Sequence, residues 1–113
     1  MASEPLPTAF FGQKFTQDLE KFIVWKEDLI APVGLTPSYQ FIPALFNGPE
    51  SVFLALLLRV QRNQDQSLDS QLVIGPFEMT LEYRYGKWQR RYTCRLDVFL
   101  DDTVSTYPNP NLI

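Results

Sequence analysis

The sequence contains no histidine and one cysteine, Cys94. A histidine general base, a Ser-His-Asp or Cys-His nucleophile arrangement and a thiolate metal cluster cannot be assembled within one such chain. The remaining acid–base candidates are carboxylates. Asp101 and Asp102 adjoin just past a run of apolar alternation, a pair of the type that holds a divalent cation or serves a glycosidase. The simpler reading is a solvated strand end leading into a turn. Asp65 and Asp69 lack the glycine and alternating oxygen ligands of a calcium loop. The five glycines, Gly12, Gly34, Gly48, Gly75 and Gly86, form neither common phosphate-binding pattern. These residues predict no enzyme, no cofactor and no metal site.

A second constellation is basic and aromatic. Arg84, Lys87, Arg90, Arg91 and Arg95 interleave with Tyr83, Tyr85, Trp88 and Tyr92, as on sheets that bind single-stranded nucleic acid. The alternation sets Arg91 and Arg95 against Glu82 and Glu78, and leaves Arg84, Lys87 and Arg90 free near the tip. With a net charge of −3, nucleic acid ranks below protein as a partner, and attraction to an anionic membrane is not expected.

The clearest element behind these residues is a hairpin over 77–100. Phe77, Met79, Leu81, Tyr83 and Tyr85 alternate with polar residues, and Tyr92, Cys94, Leu96, Val98 and Leu100 continue the period. A two-residue Gly86-Lys87 loop of type II′ would pair Tyr85 with Trp88, Glu82 with Arg91, Glu78 with Arg95 and Met79 with Cys94. Cys94 then reads as an inert core thiol. Upstream, Phe15, Leu19, Phe22, Ile23, Leu29 and Ile30 approximate a helical stripe, so a helix is expected over Thr16–Ile30, capped by Thr16 and ended by Pro32. The span Glu50–Asn63 fits a helix or a strand; the alternation of Val52, Leu54, Leu56, Leu58 and Val60 favours the strand.

These readings predict an α+β fold: a small antiparallel sheet of three or four strands with one N-terminal helix packed on it. The domain would span 13–102, with proline-bearing extended arms over 1–12 and 103–113. The expected core is Leu19, Phe22, Ile23, Leu54, Leu56, Leu58, Phe77, Met79, Leu81, Tyr92, Cys94, Leu96 and Val98. The longest strongly apolar run, Val52–Leu58, is far short of the roughly 20 residues that cross a bilayer, and Met1–Phe11 has no signal-peptide pattern. The chain is therefore expected to be soluble, in the cytoplasm or in a particle assembled there.

Two features exceed what a core needs: the arms, and an apolar irregular segment punctuated by Pro32, Pro37, Pro43 and Pro49. Phe10, Phe11, Tyr39, Phe41, Phe46, Tyr107, Leu112 and Ile113 are the expected partner contacts. Small β-rich bodies with extended ends are common among subunits of virus shells and phage tails. The leading expectation is accordingly a non-enzymatic assembly subunit acting through protein contacts, in a homo-oligomer or a larger complex. A small apolar-ligand carrier, with Tyr39–Phe46 closing a pocket lined from the sixteen aromatics (nine Phe, five Tyr, two Trp), is the alternative.

Overall fold

Two prolines open the two α-helices among the described residues: Pro7 begins α1 (Pro7–Phe11) and Pro49 begins α2 (Pro49–Asn63). A proline ring presets the helical φ, and its missing N–H falls where no intrahelical acceptor exists. The computed structural model describes residues 6–34, 39–64, 70–101 and 108–112. By contacts the chain divides into two units, Glu4–Asp65 and Gln66–Ile113 with Met1–Ser3.

In the first unit, the 50–63 segment is a helix, not the strand its alternation favoured. Glu50 lies in the first turn and Arg62 in the last, where each complements the helix dipole. Val52, Ala55, Leu56, Arg59 and Val60 follow the three-four spacing of one helical face. Ala55 is buried with Leu29 and Phe41, and Val24, Val52 and Leu56 pack against them. An all-apolar run satisfies both periods, so only the arrival of Leu29 and Phe41 on one face decides between them.

The expected Thr16–Ile30 helix does not form. Its place is taken by a two-residue antiparallel ladder, β1 (Thr16–Gln17) with β2 (Phe22–Ile23), and a 3-10 turn over Lys26–Leu29. Asp18 is the cause. Its Oδ1 accepts the backbone N–H groups of Glu20 (2.8 Å) and Lys21 (3.0 Å), while its own N–H donates to the Lys21 carbonyl (2.8 Å). A short carboxylate that satisfies nearby N–H groups in a turn competes directly with the helical ladder. The presumed stripe breaks up accordingly: Leu29 is buried, but Leu19 is 102% exposed.

Residues 7–11, expected as part of an extended arm, are helical and tied down. The Arg59 guanidinium donates from Nη2 to the Thr8 carbonyl (3.1 Å) and from Nη1 to the Asp28 carbonyl (2.8 Å), linking α2 to α1 and to the 3-10 turn. Gly12 ends α1 at φ 110°, and a Cβ there would stand 2.3 Å from Cβ of Asp28. Only glycine accepts both the backbone angle and the approach. Lys14 lies over the Trp25 ring at 5.0 Å and pairs with Glu27; the hydrogen bond to that carboxylate raises its pKa above the ordinary 10.5.

The second unit is β-structure. β3 (Leu72–Ile74) pairs antiparallel with β6 (Leu96–Val98), and β4 (Glu78–Arg84) with β5 (Lys87–Thr93). The molecule is thus α+β with small antiparallel sheets and a hairpin. The expected continuous 77–100 pairing is divided at Cys94-Arg95, where the chain leaves β4 and joins β3. Backbone bonds from Gly75 to the Arg95 carbonyl and from Phe99 to the Gln71 carbonyl, both 2.7 Å, flank the β3–β6 ladder. Pro76, with no N–H, follows at the switch.

The hairpin register differs from expectation by two residues. Tyr85 (φ 52°) and Gly86 (φ 78°) form the loop, so Arg84 pairs with Lys87 and Tyr83 with Trp88. Two positive φ values define a type I′ turn, whose twist matches the strands. A two-residue shift preserves the faces. Glu82 now lies opposite Gln89, yet it still reaches Arg91 diagonally at 3.0 Å, while Arg95 pairs with Asp97 at 2.8 Å instead of with Glu78. Met79 lies opposite Tyr92, not Cys94.

The expected core is also corrected. Among the described residues the buried apolar ones are Leu29, Phe41, Ala55, Val60 and Ile74, none of which was in that set. No helix among the described residues is long and apolar enough to cross a membrane.

Candidate interaction surface

The irregular segment before α2 turns outward in a defined shape. Asn47 builds it: its Nδ2 donates to the Ile42 carbonyl (3.0 Å) and its Oδ1 accepts the Ala44 N–H (3.1 Å). Lys26, on the 3-10 turn, reaches across and donates from Nζ to the Ala44 carbonyl at 2.8 Å. The backbone is therefore satisfied by side chains, as an irregular segment requires. What this loop presents is apolar: Ile42 is exposed, Leu45 is 104% exposed and Phe46 is 81% exposed.

The expected contact residues divide between surface and interior. Phe46 lies on this loop. Phe41 is in the core, and half-buried Tyr39 accepts a hydrogen bond from Arg62. Phe10 and Phe11 meet edge-to-face at 6.2 Å, and Phe11 packs on Phe15 at 5.0 Å, so both rings are engaged within their own unit. Leu112 ends a 3-10 turn over Pro110–Leu112. Tyr107 and Ile113, and with them residues 1–5 and most of the C-terminal arm, lie outside the described residues. Ile42 and Leu45 belong to the same apolar segment but were not in the expected contact set. The signal for them is Asn47-Gly48-Pro49, a turn-former ahead of a helix start, which forces the apolar residues just before it into a loop.

The second surface is the apolar face of the β4–β5 hairpin. Met79, Leu81 and Tyr83 stand opposite Tyr92, Arg90 and Trp88, and all of the apolar members are exposed. Tyr83 meets Trp88 at 5.5 Å and Phe77 meets Tyr92 at 6.4 Å, both edge-on. At the tip, the Arg84 guanidinium lies 5.2 Å from the Tyr85 ring.

The residues first considered for chemistry are dispersed. Half-buried Cys94 lines an open groove of about 350 Å³ with Glu78, Thr93, Arg95 and Asp97, so it is not the core thiol expected. Asp101 is exposed, while Asp102, Asp65 and Asp69 lie outside the described residues. Among the described residues, no three metal-ligating side chains come together. No protein-family model matches the chain, and no curated protein and no solved structure matches it either.

Proposed function

We propose that the chain is a non-enzymatic structural subunit acting through protein–protein contacts, in a homo-oligomer or a larger assembly of the virion or phage-tail type. One observation carries this reading: a loop whose backbone is pinned by Asn47 and Lys26, yet whose side chains Ile42, Leu45 and Phe46 face solvent. A pre-shaped loop loses little entropy on docking. Burying such side chains in a partner pocket is favourable by about 1.5–3 kcal/mol each. Leu45 and Phe46 are thus the anchors. The carrier reading lacks this support, because Phe41 fills the core beside α2 and Phe46 is turned away from it.

Light scattering across concentration tests the reading. The wild-type chain is expected to form a defined oligomer, and Leu45→Ser with Phe46→Ser to reduce it to the 13.1 kDa chain. A wild-type chain and variant that share one monomeric mass, elution volume and solubility would remove the loop's role.

A further inference from the structure

We propose that the exposed face of the β4–β5 hairpin is a docking site for single-stranded nucleic acid. The site is distinct from the 42–47 loop and does not depend on its role in assembly.

The first argument is composition of the face. Tyr83, Trp88 and Tyr92 occupy it with Leu81 and Met79, and Arg90 stands among them opposite Leu81. Trp88 is 71% exposed. A face made to join two copies of the chain would gain nothing from a central cation, since a two-fold axis brings like residues toward one another. Planar rings around an unpaired guanidinium instead suit a ligand that is planar and anionic at once. Nucleobases stack on such rings, and phosphates meet the cation.

The second argument is charge. Residues 77–97 carry Arg84, Lys87, Arg90, Arg91 and Arg95 against Glu78, Glu82 and Asp97, a local excess of two positive charges in a chain of net −3. Arg91 is engaged by Glu82 and Arg95 by Asp97. No carboxylate among the described residues pairs with Arg84, Lys87 or Arg90; Arg90 stands on the ring face itself, and Arg84 and Lys87 pair with each other on the opposite face beside the turn. A seven-residue strand is roughly 24 Å long at about 3.4 Å per residue. Charges at its two ends are therefore screened from one another at physiological salt, where the Debye length is about 8 Å. A duplex offers these rings no base to stack on, because its bases are already stacked and paired. From Tyr92, opposite Met79, to Tyr83 the face spans roughly 14 Å, room for about two or three unstacked bases.

The test uses the full chain carrying Trp25→Phe, which leaves Trp88 as the sole tryptophan. Oligothymidylate of about twelve nucleotides, within the usual site size, is the probe. Saturable quenching of Trp88 is expected, with affinity that falls as salt rises. By anisotropy of a labelled oligonucleotide, Trp88→Ala is expected to weaken binding about 5- to 100-fold, the worth of one stacked base. Trp88→Phe restores most of it and controls for folding, and Arg90→Gln lowers the salt slope by about one. Three results overturn the proposal. One is no quenching, or equal binding by Trp88→Ala with native circular dichroism. Another is displacement by polyglutamate as effective as by oligothymidylate, which would assign the face to an acidic protein. The last is shielding of Trp88 from acrylamide before any oligonucleotide is added, which would mean a second copy covers it.

Discussion

Arg59 shows how one side chain closes a unit. Its two terminal nitrogens satisfy carbonyls on separate elements, while Nε is buried with no partner. Hydrogen bonds from a charged donor are worth about 1.5–3 kcal/mol each, and an unsatisfied buried donor subtracts from that. Arg59→Ala is therefore expected to lower the unfolding free energy by about 2 kcal/mol or more in a urea titration. Arg59→Met keeps the apolar stem and removes the orphaned Nε, so its loss should be smaller. Equal losses would mean that the stem contributes nothing. At the level of residue type, Arg59 reads as a helix-end cation. That it faces inward follows from Thr8 and Asp28, which lie 51 and 31 positions away in the chain.

At the scale of elements, the hairpin turn is the most consequential local choice. Tyr85 holds φ 52°, a left-handed conformation that costs a residue with a full Cβ about 1–2 kcal/mol and suits asparagine better. Tyr85→Asn is expected to stabilise the hairpin, by up to about 1 kcal/mol, raising the melting temperature with the far-ultraviolet spectrum unchanged. A lower melting temperature would show that the Arg84–Tyr85 contact outweighs the strain. The alternation over 77–85 and over 92–100 makes the strands and their two faces readable, because apolar and polar residues alternating with a period of two have no helical counterpart. The turn was not equally readable: Gly86 fits both loops, and the alternatives differ by two residues, which leaves every side chain on its own face. The segment at 16–30 is not decided by local chemistry, since Asp18 can serve a helix's first turn or an Asx turn.

At the scale of the whole molecule, two surfaces of different physics follow. The 42–47 loop presents Ile42, Leu45 and Phe46 without a charge, whereas the hairpin face carries Arg90 among its rings. Salt should separate them. Oligomer mass is expected to change little between about 50 and 200 mM salt, while oligonucleotide affinity falls steeply over the same range. An oligomer that dissociates with added salt would contradict apolar anchoring. From the sequence alone came the exclusion of histidine chemistry, the α+β class and the membership of the hairpin faces, because composition and a period of two are local properties. Tertiary structure alone decided that 50–63 is a helix, that Phe41 turns in while Phe46 turns out, and that Leu19 is left in water. Periodicity states which side chains share a face; whether that face is covered depends on residues distant in the chain.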